Sequence, residues 1–194
     1  HVTPRGLITP LLPHGLRSFT IEFDFVDHQL IIRATDGNIR TIALRPQSVA
    51  AFYRQVITLL AEMSVPVKIW PVSVEMPTPV QLDQDLDHDA YDAAAVSRFW
   101  RALRSIGGVL AETRCSFVGK ASPVHFFWGG FDLAVTRFSG RPAPPREGPA
   151  FMREAYSKEV ISHGFWPGGD QMNEAAFYAY AVPEPPGFKE VQPR

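Results

Sequence analysis

Only one cysteine, Cys115, occurs in the 194 residues, so no disulfide can form within the chain, which fits a reducing, cytoplasmic setting better than secretion. Its strand-like neighbourhood reads as a buried, inert thiol. No apolar run approaches the ~18 residues that cross a bilayer, and the start lacks the basic and apolar stretches of an export signal. The sequence therefore predicts neither a membrane span nor export. Neither sign of charge is in excess: 19 Lys+Arg stand against 20 Asp+Glu, a net charge of -1. No overall positive field is left to release counterions from a nucleic acid, so nucleic acid is not an expected partner.

What is present is a folding composition. Hydrophobic residues make up 45% and charged residues 20%, far from the polar balance that keeps chains disordered. The length suits one domain over residues 1–194. The chain begins at His1 rather than Met with a strand-like phrase under way, so it reads as a piece of a longer product.

After a Pro-rich opening, Phe19, Ile21, Phe23 and Phe25 alternate with Thr20, Glu22 and Asp24, the period of a strand with one buried face. Asp27 and His28 read as a turn. Leu30, Ile32 and Ala34 continue the alternation, and Asp36-Gly37 marks a tight hairpin before a strand over residues 39–44. The three strands predict a meander. Pro46 and a Ser48 cap open a helix in which Val49, Phe52, Tyr53, Val56, Leu59, Leu60 and Met63 form a stripe to cover it. Residues 65–76, broken by Pro66 and Pro71, read as an edge strand or an extended crossing segment.

The run QLDQDLDHDAYD places Asp83, Asp85, Asp87 and Asp89 at alternate positions, but His88 sits where a calcium loop needs Gly and Ala94 where it needs Glu. A solvated loop is the better reading. Asp92 caps a second helix with Val96, Phe99, Trp100, Leu103, Ile106 and Leu110 on its apolar side and Gly107-Gly108 weakening its last turns. From Cys115 onward CSFVG, VHFFW and FDLAVTRF read as strands. Residues 141–149 form a Pro-rich loop, residues 151–163 a helix stopped by Gly164, residues 177–182 a final strand, and the end an extended tail. The class is α+β: an antiparallel sheet of hairpins and meander packed against two or three helices.

Gly129-Gly130 as a two-residue hairpin loop pairs Trp128 with Phe131, Phe127 with Asp132 and His125 with Ala134. Val124, Phe126, Trp128, Phe131, Leu133 and Val135 then share one apolar face. His125 and Asp132 become diagonal neighbours on the other, roughly 7–8 Å apart at the backbone. A carboxylate beside an imidazole holds its tautomer and raises its basicity, as a general base requires; equally, such a pair ties down a half-buried sheet face. Arg137, Ser139 and Arg141 follow at the strand end, where guanidinium forks and a hydroxyl suit a carboxylate or phosphate. Glu159 and His163, at i and i+4 near Tyr156 on the predicted helix, offer two ligands of a metal whose others are unmarked, or His163 simply favours the negative end of the helix dipole. In GFWPGG, residues 164–169, Phe165 and Trp166 read as a lid over a pocket or as packing across the sheet end.

HFFWGGFDLAVTRFSGR (125–141), YSKEV (156–160), GFWPGG (164–169), FYAYAVPEPPGF (177–188), FTIEFDFVDH and the IWP at 69–71 together resemble a bacterial family catalogued only as a domain of unknown function. The resemblance covers nearly the whole chain and brings with it no activity, cofactor or catalytic residue. It implies further sequence at both ends, helical ahead of residues 1–7, and variation at position 163, which weighs against His163 as a ligand.

Two functional readings follow. In one, a small anionic molecule is bound or transformed in a pocket between the 124–137 hairpin and the GFWPGG loop: Arg137, Ser139 and Arg141 hold the anion, His125 with Asp132 and Glu159 handles protons, and Trp128 or Trp166 forms a wall. In the other, the aromatic and Pro-rich surfaces are structural or bind a partner protein. No cofactor or metal is assigned. The first reading requires His125, Asp132, Arg137 and Glu159 to line one cavity.

Overall fold

A computed structural model describes residues 1–74, 76, 78–169 and 172–191. The fold is α+β, with two antiparallel sheets, and the chain divides into two compact units, His1–Ser105 and Ile106–Arg194. Among the described residues no helix is long and apolar enough to cross a membrane.

In the first unit the predicted meander is present as β3 (Arg17–Asp24), β4 (Gln29–Ala34) and β5 (Ile39–Ala43), with Ile21 opposite Ile32 and Leu30 opposite Ile42. The β4–β5 turn places Gly37 at φ +88°, with the Gly37 N–H donating to the Ala34 carbonyl, so the glycine supplies the left-handed residue such hairpins need. Helix α1 (Val49–Glu62) starts at Ser48, whose Oγ accepts from the Ala51 N–H at 3.2 Å. Its stripe lies on the meander: Leu60 and Met63 join Phe19, Leu30, Ile32, Ile42 and Val65 in one core, with Phe52, Val56 and Leu59 packed against it. Each fully buried aliphatic here contributes ~1.5–3 kcal/mol relative to exposure.

Two short strands are additional to those predicted. β1 (Gly6–Ile8) and β2 (Leu12–His14) both pair with β3. Pro10 and Pro13 mask them in the sequence, and a sheet edge is where a strand tolerates a residue that cannot donate. Behind this edge Asp24, 1% exposed, accepts from Arg5 Nε at 2.7 Å and from the backbone of Val26 and Asp27. Burial pushes its pKa up, but these donors together outweigh it and hold the carboxyl below its ordinary value.

The acidic run is a loop, with Asp83, Asp87 and Asp89 exposed as expected, but Asp85 departs from the solvated reading. Asp85 is buried at 7% exposure, and the Asp85 and His88 carbonyls accept from the Ala50 and Val49 N–H groups, satisfying donors that open α1. Residues 65–76 form no strand in their described part.

The unit boundary falls inside α2 (Ala93–Cys115), which Asp92 caps by accepting from Ala94 and Ala95. The helix passes through Gly107 and Gly108, so CSFVG is not a strand and Cys115 is exposed rather than buried. Two glycines cost the helix about 1 kcal/mol each; Leu110, 4% exposed, offsets this by packing.

The second unit contains β6 (His125–Phe127), β7 (Asp132–Pro142), α3 (Ala150–Ala155), β8 (Lys158–Trp166) and β9 (Ala176–Val182), in the sheet order β6-β7-β8-β9. The helix predicted for residues 151–163 is therefore one short helix followed by a strand. Gly164 is no helix stop but the middle of β8, where a Cβ would lie 2.5 Å from the Leu133 carbonyl oxygen. The tail carries a 3-10 turn at Phe188–Glu190 instead of running extended; residues 192–194 lie outside the described part.

Candidate functional site

The register of β6 on β7 is the predicted one: His125 faces Ala134, Phe126 faces Leu133 and Phe127 faces Asp132. The loop differs. It holds Trp128, Gly129, Gly130 and Phe131, the Phe131 N–H donates to the Phe127 carbonyl, and Phe131 rather than either glycine takes the left-handed position, at φ +61°. A longer loop keeps the same pairing because it adds residues beyond the last paired rung on both strands. Phe126, Leu133 and Val135 are buried on the apolar face, and Trp128 and Phe131 extend it as edge-on neighbours of Phe126, with ring centroids 5.3 and 5.2 Å away.

His125, Asp132, Ala134 and Thr136 share the opposite face, as predicted. The carboxylate there is engaged by a residue the sequence reading passed over: the Tyr178 hydroxyl donates to Asp132 Oδ2. Tyr178 stacks on Tyr180 with centroids 6.1 Å apart and planes 13° apart. Tyr156 Oη in turn donates to Tyr180 Oη at 3.3 Å, and Thr136 and Ser162 share a hydroxyl bond at 3.0 Å. Burial and the Asp132 carboxylate push the Tyr178 phenol up, and burial above all pushes Tyr180 up to about 12. At His125 burial lowers the pKa and outweighs the upward pull of Asp132. The acid therefore does not make this imidazole more basic than usual. The alternation Phe177-Tyr178-Ala179-Tyr180 was the available signal, since period two puts both tyrosines on one face.

Trp166 packs across the hairpin end, with Nε1 donating to the Gly130 carbonyl at 3.1 Å. With Asp132, Phe177 and Tyr178 it lines a hollow of about 320 Å³.

The other end of β7 carries a bulge. Its register against β8 shifts between Phe138 and Pro142, with Gly140 at φ +85°. Ser139 Oγ and Arg141 Nε both donate to Glu159 Oε2 at 2.7 Å, and Ser139 Oγ accepts from the Arg141 N–H. The serine hydroxyl first, then the guanidinium, hold the Glu159 carboxyl below its ordinary value. Arg137 donates from Nη2 to the Thr113 carbonyl at 2.8 Å and lies 5.0 Å over the Phe117 ring. Its Nε is buried with no acceptor among the described residues, and none of their ion pairs includes it. Arg137, Ser139, Arg141 and Glu159 line one cleft of about 530 Å³, walled by Phe117, Ile161 and residues 183–186.

The candidate residues thus fall into two groups. Arg137, Ser139, Arg141 and Glu159 converge at the bulge. His125, Asp132 and Trp166 gather toward the hairpin end, with Trp128 in its loop. Arg137 pairs with Ile161 on the face opposite His125, and five residues of strand separate it from Asp132 by roughly 17 Å. Glu159 and His163 occupy one strand four residues apart, roughly 13 Å, too far to share an ion. His163 Nε2 is buried without a partner among the described residues, and burial followed by the Arg137 charge lowers its pKa. Among the described residues no cluster of three His, Cys, Asp or Glu side chains is placed to hold a metal.

No curated protein and no solved structure matches the chain. A family model does, over residues 1–194. The chain belongs to the family of unknown function DUF5996.

Proposed function

We propose that the protein binds a small organic anion with an apolar body, a carboxylate in the first instance, in the cleft at the bulged end of the second sheet. Arg137 carries this reading. It lines the cleft as a half-buried guanidinium without a carboxylate partner among the described residues and with a buried, unsatisfied Nε–H. A partly desolvated cation without a counter-charge is costly, and an incoming carboxylate answers it with a charge-assisted bond. Arg141 is already neutralised by Glu159, so it contributes the rim and not the anchor. Phe117, Ile161 and the proline-rich segment supply the apolar wall. With Glu159 holding two donors and His125 on the other face of the sheet, the cleft supports binding rather than proton transfer.

Thermal shift and calorimetric titration with octanoate, benzoate and inorganic phosphate test it. A carboxylate at a hundred times its Kd stabilises the fold by roughly 2.7 kcal/mol. Arg137→Gln should weaken carboxylate binding at least tenfold, Arg141→Gln much less. Absence of stabilisation by either carboxylate, or equal binding by Arg137→Gln, refutes the reading.

A further inference from the structure

A second cleft, of about 500 Å³, lies wholly within the first unit. One side is apolar, made by Phe23 of β3, Leu44 and Phe52 of α1, with the Phe23 and Phe52 rings 6.3 Å apart. Tyr91 and His88 stand at its rim, Tyr91 tied by its hydroxyl to His28 Nδ1 at 2.9 Å.

The turn that presents His88 is held rigidly. The Gln47, Val49 and Ala50 N–H groups donate to the carbonyls of Asp89, His88 and Asp85 at 2.9–3.0 Å, fastening the turn to the start of α1. Inside it the Asp85 carboxylate is buried. Oδ1 accepts from the backbone of Asp87 and His88, and Oδ2 lies 2.8 Å from His88 Nδ1. The His88 N–H and the imidazole bond hold this carboxyl below its ordinary value against the opposing effect of burial. An ionised carboxylate only accepts, so Nδ1 carries a hydrogen toward Asp85, and in the neutral ring Nε2 is the nitrogen with the lone pair, on a side chain that is 68% exposed. A buried acid, an oriented imidazole and an apolar cleft are thus assembled from residues that the period-two spacing of the aspartates alone does not connect.

We propose that this cleft is a second small-molecule site, for a neutral ligand with an apolar, aromatic body and an acidic hydroxyl, a phenol being the simplest, whose O–H faces His88 Nε2. The charge around the imidazole selects a neutral acid over a carboxylate. Asp85 is bonded to the ring, Asp87 and Asp89 line the cleft, and among the described lining residues Arg45 is the opposing cation. A ligand already anionic meets net repulsion. A phenol arrives uncharged and transfers its proton in place: the O–H bond breaks, its electron pair stays on the oxygen as phenolate, and the new N–H bond forms at Nε2. The resulting imidazolium faces Asp85, and Arg45 is the group available to the phenolate.

4-Nitrophenol is a suitable probe because its phenolate has its own visible absorption band. Titrating the full chain into it below its ordinary ionisation should raise the phenolate band saturably. 4-Nitroanisole, which has the same ring and no proton to give, should bind at least tenfold more weakly. His88→Gln should abolish the phenolate band and weaken binding about tenfold, its fold checked by circular dichroism, since the ring it removes is exposed. Asp85→Asn should reduce the band through the loss of tautomer control. No saturable binding of 4-nitrophenol, an unchanged band in His88→Gln, or equal binding of the anisole would each overturn the proposal.

Discussion

At its hairpin end β7 offers Asp132 to a tyrosine hydroxyl that satisfies it, whereas at its bulged end it offers Arg137 to a cleft in which no carboxylate among the described residues pairs with it. Both residues looked equally chemical as sequence. The contrast lies in their neighbours. Around Asp132 the strands run in register, and β9 supplies Tyr178 on the same face, one strand beyond β8. Around Arg137 the helix end supplies one carbonyl and one ring, and the bulge beyond it turns Ser139 and Arg141 toward Glu159. A polar network that closes on itself specifies structure; the residue it leaves over is the one available to a ligand.

If the hairpin end is the rigid one, backbone crowding there should cost far more than at the bulge. Gly164→Ala places a methyl 2.5 Å from the Leu133 carbonyl oxygen and 2.9 Å from Ala134 Cβ. Neither can move without opening the β7–β8 ladder, so urea denaturation should show a loss of about 3 kcal/mol or failure to fold. Gly140→Ala meets nothing within 4 Å and pays only for its left-handed φ, about 1 kcal/mol. The reverse order would erase the distinction between the two ends.

The Asp132 network comes next in size. Tyr178→Phe strips the carboxylate of its donor and should cost about 1–2 kcal/mol. Asp132→Asn removes the charge that raises His125, so the imidazole pKa should fall further, as followed by NMR titration. The sign for stability follows. His125 has a folded pKa below its ordinary 6.5, so the unfolded chain takes up this proton first. The His125 contribution is complete above that value and declines as pH falls through it toward the folded pKa. A His125 pKa that rises in Asp132→Asn would place the two side chains out of each other's field.

Much of this was legible beforehand. Alternation located β3, β4 and β5, and the same logic put His125 opposite Ala134. That register also contained an unused inference: Arg137 stands an odd number of residues from Ala134, so it must face away from His125. The shared pocket failed on parity. β8 was misread because Glu159 and His163 fit helical spacing as well as alternation; what decides is the partner strand, which no local window contains. Asp85 looked like one acid in a solvated run because its partners are backbone groups at the start of α1, and backbone donors leave no mark in composition. The tyrosine ladder required the pairing of β9, a strand whose existence was read without its register.

The smallest expected effect separates the two arginines at the bulge. Glu159 neutralises Arg141 and leaves Arg137 untouched. Ser139 and then Arg141 depress its pKa below the ordinary 4.5, so its stabilising contribution is complete above that value and is lost as pH falls through the depressed one. An acid titration of the wild type should therefore show a decline in that window that Glu159→Gln lacks. The same substitution releases Arg141, an exposed and flexible cation, whose added attraction is screened by solvent. Carboxylate affinity should then rise only a few-fold, against the tenfold loss expected at Arg137. A larger gain in Glu159→Gln than the loss in Arg137→Gln would move the anchor from the buried guanidinium to the rim, because the energy of an ion pair follows desolvation more than proximity.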